Sequence, residues 1–215
     1  MAKLRLHNFS MSLDGYAAGP NQSREEPLGI GGERLHDWMF STRFWHEMVG
    51  EPGGDEGLDN DFAVRSDEGI GATIMGRKMF GPIRGPWGDE DWRGWWGDNP
   101  PYHHPVFVLT HYPHDPIEMQ GGTTFYFVTD GIEPALKRAF EAAQGKDVRV
   151  GGGASVVQQY MRAGLLDELH VAIAPRLLGS GEHLLYGLDL TALGYECTTH
   201  VPTAAATHVV LSRRP

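Results

Sequence analysis

The stretch "VRVGGGASVVQQYM", residues 148–161, decides how the rest of this chain is read. A short apolar run leads into Gly151, Gly152 and Gly153, and an amphipathic run follows from Ala154 and Ser155. That is the pattern of a strand feeding a helix through a tight turn. Two readings of the glycines stand side by side. Glycine enters positive φ with little strain, so the triplet can be a bare turn. Alternatively, the missing side chains leave room for a ligand at a helix N-terminus, where unpaired N–H groups and the helix dipole favour a phosphate.

Working outward, the same alternation recurs. "KLRLHNFS" (3–10) reads as the first strand, followed by the turn-prone "SLDGYAAGPNQS". Residues 33–49 carry Leu35, Trp38, Met39, Trp45, Met48 and Val49 at helical spacing, which predicts one helix with a core-facing aromatic side. A second helix is predicted over 58–68, then the buried strand "ATIMG". Residues 80–105 hold four tryptophans among glycines, prolines and acids, the composition of an ordered flap covering a planar substrate or a partner subunit. "PVFVLT" and "TTFYFVTD" read as strands, 133–144 as a helix, and "DELHVAIAP" with later segments as further strands. Alternating strands and helices imply an α/β domain over residues 1–215, with a mixed, mainly parallel sheet and an antiparallel end.

The net charge of −10, from 18 Lys and Arg against 28 Asp and Glu, argues against a general affinity for nucleic acid or anionic membrane. A single cysteine, Cys197, excludes an intrachain disulfide and a Cys-rich zinc site. The N-terminus turns polar before a secretory core develops, and no run reaches the roughly 18 residues of a membrane span, so the expectation is a cytoplasmic protein. Among the 11 histidines no pair on a predicted helix has i, i+4 spacing, and no metal site is expected.

In such a sheet, ligands bind beyond the carboxyl ends of the strands. Those positions here hold Gly76, Arg77 and Lys78 after "ATIM", Thr110 and His111 after "VFVL", and the glycine triplet after "VRV". Backbone donors for a pyrophosphate and cations or hydroxyls for a 2′-phosphate suit a phosphorylated dinucleotide. The spacing is neither GxGxxG nor a P-loop.

"TIMGRKMF", "VFVLTH" and "VGGGASVVQQYM", in this order, resemble dihydrofolate reductase. With "SLDGYAAGPN" and "GLLDELHVAIAPRLLGSGEHLL" the chain is similar over its whole length to the reductase family related to the C-terminal half of the bifunctional riboflavin biosynthesis protein. The resemblance implies a three-layer αβα dihydrofolate reductase-like fold, NADPH as cofactor, a small-molecule substrate and a homodimer. It places Gly76, Arg77, Lys78, Thr110 and His111 on the phosphate side. It places Gly151, Gly152, Gly153, Ala154 and Ser155 under the pyrophosphate and beside the nicotinamide. On the substrate side it implies Pro175, Leu178 and Gly179. Asp14 is the candidate carboxylate, in competition with a plain Asp-Gly turn. The pterin-binding carboxylate of dihydrofolate reductases falls on Asn60, flanked by Asp59 and Asp61. The zinc deaminase half of the riboflavin protein is absent from this chain, since its Pro-Cys-x-x-Cys pattern needs more than one cysteine. The expectation is a reductase acting on a pterin or ribosylaminopyrimidine type of heterocycle, or a related carbonyl or imine; the alternative is a non-catalytic protein that binds NADPH or another small ligand in the same cleft.

Overall fold

The computed structural model describes residues 2–82, 84–88 and 91–214. Residues 83, 89 and 90 of the expected flap, and both terminal residues, lie outside that set. One nine-stranded sheet organises the chain. Its strands are β1 (Leu4–Ser12), β3 (Ile70–Gly76), β4 (Pro105–Leu109), β5 (Ile117–Glu118), β6 (Thr124–Val128), β7 (Asp147–Gly152), β8 (Glu168–Ala174), β10 (Tyr195–Pro202) and β11 (Thr207–Arg213), in the spatial order β10-β11-β8-β1-β7-β3-β4-β6-β5. The six inner strands from β8 to β6 run parallel. β11 and β10 turn antiparallel at one end and β5 at the other. The sequence explains the placement: β3, buried at six of seven positions, needs cover on both faces, whereas β10 exposes most of its residues and lies at an edge.

Strand alternation sends side chains to two faces. Ile74, Phe107, Val148 and Val150 meet α5 (Ile132–Ala143) and α6 (Ala154–Arg162) in the main core. The other face has two covers. Near β8 and β11, α1 (Asp37–Phe40), α2 (Arg43–Val49) and α3 (Leu58–Arg65) bring in Trp38 and Phe62 against Ala172. Near β3, β4 and β6, residues 80–105 lay Trp87, Trp92 and Trp96 against Met75, Val108 and Phe125. A two-stranded piece, β2 (Tyr16–Ala18) with β9 (Glu182–His183), sits beyond the carboxyl end of β1.

Several expectations are corrected. The helix predicted over 33–49 is broken into a 3-10 turn at Glu33–His36, then α1 and α2. Thr42 makes the break: its hydroxyl donates to the Met39 carbonyl at 2.6 Å and accepts from the Trp45 N–H at 3.2 Å, ending one helix and capping the next. Consequently α2 buries no residue fully, and Met48 and Val49 are exposed. The first strand runs on to Ser12, and the second helix stops at Arg65. The tryptophans of 80–105 pack on a sheet face beside the four-residue helix α4 (Arg77–Phe80), whose Phe80 is fully buried among Met75, Val108 and Phe125.

Candidate functional site

The parallel strands deliver their carboxyl ends to one edge of the sheet. There the β7–α6 turn holds Gly152 at φ +148° and Gly153 at φ +85°. A Cβ on Gly151 would lie 3.1 Å from the Thr73 methyl, whereas one on Gly153 would meet only ordinary contacts at 3.9 Å. Backbone conformation thus requires glycine at 153, while the space above it is open. No side chain caps α6, so its first N–H groups are left for another acceptor. Ala154 is buried against the core and Ser155 is exposed. The β3 end lies alongside: a Cβ on Gly76 would stand 3.0 Å from Val156 and 3.6 Å from the Gly152 carbonyl oxygen.

Arg77 follows Gly76. Its guanidinium carbon lies 3.5 Å from the centre of the Trp87 ring, and all three of its nitrogens are buried without a hydrogen-bond partner. Burial lowers its pKa to about 10, which leaves it cationic at neutral pH. A buried cation stacked on an indole and, among the described residues, lacking an anion is the outstanding electrostatic feature of this edge. Thr110 is buried, with its hydroxyl 3.2 Å from the Tyr112 N–H it accepts, and His111 is exposed beside it. The Lys78 ammonium donates to Gln22 and Glu182, both at 2.6 Å. Arg84 joins Glu182 at 3.0 Å, so the tryptophan segment is clasped to β9.

Asp14 ties β1 to the loop after β8. Its carboxylate accepts from Ser12 Oγ at 2.6 Å, the Leu178 N–H at 3.1 Å and the Gly179 N–H at 2.7 Å. These bonds, the Ser12 hydroxyl foremost, lower its pKa to about 2. With both oxygens occupied, the carboxylate clasps the end of β1 to the loop after β8. Pro175, Leu178 and Gly179 are brought to the site by it. Sequence reasoning missed Ser12, Glu182 and His183. His183 packs edge-on to Tyr16, and its Nε2 would lie 2.3 Å from a Cβ on Gly15. The signal available was the pairing of "SLDG" with "GSGEH" at two successive strand ends.

Asn60 stands in the first turn of α3, where it lines a small pocket with Asp59, Pro202 and Thr203. Its side-chain oxygen accepts the Phe44 N–H at 2.9 Å, capping α2, because α3 packs beside α2. Asp59 turns inward to His208 at 2.6 Å. A cavity of about 620 Å³ lined by Tyr102, His103, His104 and Lys146 opens at the opposite edge, where β3 and β4 begin. Among the described residues no group of three or more His, Cys, Asp or Glu is placed to hold a metal ion, and no helix is long and apolar enough to cross a membrane.

Comparisons with known proteins find the same fold. A protein from Shewanella sp. PV-4 assigned to riboflavin biosynthesis is 20% identical with a TM-score of 0.59, each chain being covered over 100% of its length. The diaminohydroxyphosphoribosylaminopyrimidine deaminase/5-amino-6-(5-phosphoribosylamino)uracil reductase of Thermotoga maritima is 11% identical with a TM-score of 0.55, over 99% of this chain and 57% of its own. RibD of Acinetobacter baumannii is 16% identical with a TM-score of 0.55, over 100% of this chain and 58% of its own. No curated protein matches. The shared architecture is the dihydrofolate reductase-like α/β fold with a mostly parallel central sheet. The RibD C-terminal domain profile matches residues 5–209, from within β1 to within β11 and through every strand end described above; the chain belongs to that family.

Proposed function

We propose that this chain is an NADPH-dependent reductase whose cofactor lies along the carboxyl edge of the sheet, between Gly76–Arg77 and the Gly152–Ser155 turn. The observation that carries the reading is Arg77, a buried guanidinium with no anion among the described residues, set next to an uncapped helix start where even a Cβ on Gly153 would meet nothing closer than 3.9 Å. These residues fit the group: Arg77 would take the 2′-phosphate, and the α6 N-terminus the pyrophosphate. NADPH, when bound, supplies a hydride to a small planar heterocycle of the pterin or ribosylaminopyrimidine type, or to a related carbonyl or imine. The chain's own part is to bind, to orient and to exclude water. Asp14 holds loop 175–181 on the substrate side, Trp87 shields Arg77, and the proton comes from water rather than from Asp14. The same reading carries a homodimer, supported by exposed Leu13 and Leu177, neighbours through the Leu13 N–H to Arg176 carbonyl bond; sedimentation reads it.

The test is titration of the protein and of Arg77→Met with NADPH and NADH, followed by tryptophan fluorescence. Loss of a charge-assisted contact is expected to weaken NADPH by roughly tenfold to a hundredfold. NADH should change far less. Equal losses for both would remove the 2′-phosphate role, and no binding of either by the unmodified chain would end the cofactor reading. Binding without turnover across pterins, pyrimidines and carbonyls would favour the non-catalytic alternative.

A further inference from the structure

β1 does not pair evenly with β8. Leu6 stands opposite Leu169 and Phe9 opposite Val171, so His7 and Asn8 together oppose His170: a β-bulge, with Asn8 at φ +55°. A bulge leaves a backbone N–H outside the ladder. Here the Asn8 N–H donates to His170 Nδ1 at 3.1 Å. That one bond fixes everything beyond it. Because Nδ1 accepts, the His170 proton is on Nε2, which meets His208 Nδ1 at 3.0 Å. His208 Nδ1 therefore accepts as well, and its Nε2 donates to Asp59 Oδ1 at 2.6 Å. Both imidazoles are fully buried, stacked on Phe62 with ring centres at 4.7 and 4.2 Å and bounded by Trp38.

We propose that His170, His208 and Asp59 are positioning residues, a one-way hydrogen-bond relay that locks the β1 bulge and so sets the register that carries Ser12 and Asp14 to the sheet edge. Register is a discrete quantity: a slip of one residue turns every following side chain to the other face. Without the bulge, Ser12 and Asp14 would exchange places with Met11 and Leu13. The lock is directional, since a second proton on either ring would set N–H against N–H. The charged groups around it agree with neutral rings. His7, edge-on to His170 at 5.8 Å, is engaged by Glu168 at 2.7 Å; Arg65 lies over Phe62 at 5.7 Å; and Asp59 also accepts from Thr203 at 2.9 Å. Burial holds His170 down to about 2, so its ring stays unprotonated at neutral pH.

The experiment uses the whole chain and no cofactor, so it stands or falls apart from the NADPH reading. Long-range 1H–15N spectra of 15N-histidine protein read the tautomers directly. Both His170 and His208 are expected as Nε2–H tautomers, with the His170 signals constant from about pH 8 to about pH 5 while surface rings titrate. An Nδ1–H tautomer at either ring, or a His170 titration near neutrality, would overturn the relay. Hydrogen exchange of Asp59→Ala and Asp59→Asn then tests the register. Asparagine keeps an oxygen for His208, so Asp59→Asn should retain the tautomers and the slow exchange of the Asn8, Leu178 and Gly179 amides. Asp59→Ala should speed those amides by roughly tenfold. Identical behaviour of the two variants, or faster exchange at Asn8 with Leu178 and Gly179 unchanged, would separate the relay from the site and refute the proposal.

Discussion

Gly15 and Gly153 share a positive φ, +89° and +85°, and have very different surroundings. Alanine at 153 meets backbone strain at φ +85°, ψ +115°, about 1–3 kcal/mol, but no clash, because nothing stands closer than 3.9 Å. Alanine at 15 would meet the His183 ring at 2.3 Å and push β9 from β2, a further penalty of about 1–3 kcal/mol. We therefore expect Gly153→Ala to melt a few degrees lower and to bind NADPH more weakly, its methyl entering the space proposed for the cofactor, and Gly15→Ala to melt lower still. Calorimetry beside fluorescence titration checks the pair. The residue scale is also where the sequence was least legible. The glycine turn and Arg77 stand at strand ends and could be read from spacing. His170 and His208 could not, because they meet only when β8 and β11 pair antiparallel, and nothing in "LHVAIA" or "THVVLS" states that register.

At the scale of elements, strands were easier to find than helices. β3 and β4 are apolar runs bounded by turn residues and buried on both faces, while β1 and β7 show the alternation of a strand with one fully buried face. Residues 33–49 keep helical spacing throughout, so the break at Ser41–Thr42 was invisible to periodicity; it is made by side-chain bonds and by Arg43 and Asp55 backbone pairing. Thr42 is fully buried and serves two helices. Thr42→Ala should lower stability by about 1–2 kcal/mol, the upper range for a cap, measured as a shift in urea midpoint with unchanged slope. The composition of residues 80–105 predicts an ordered segment but not its place: α4 is one short turn over β3 and β4, and Trp87, Trp92 and Trp96 pack beside its Phe80 on the same face.

For the whole molecule, pH acts through buried rings. His104 is held at about 4 and His170 at about 2, both chiefly by burial, against an ordinary value of 6.5. Above pH 6.5 neither state protonates these rings, so they add no pH dependence. Below it the unfolded chain binds protons that the fold refuses, and stability falls until about pH 4 for His104 and about pH 2 for His170. His170 alone should contribute a slope approaching ~1.4 kcal/mol per pH unit, seen as a lower urea midpoint at about pH 5.5 than at about pH 7.5. A midpoint that rises on acidification would contradict its burial as a neutral ring.

The strand order has a last consequence, in time rather than space. β1 is made first, yet its two neighbours in the sheet are β7 and β8, which end at Gly152 and Ala174. During synthesis the central strand has no partner until most of the chain has left the ribosome, and loop closure over such separations is slow. The nascent protein carries an unpaired central strand until β7, ending at Gly152, has been made, an interval in which its apolar face is open to wrong partners.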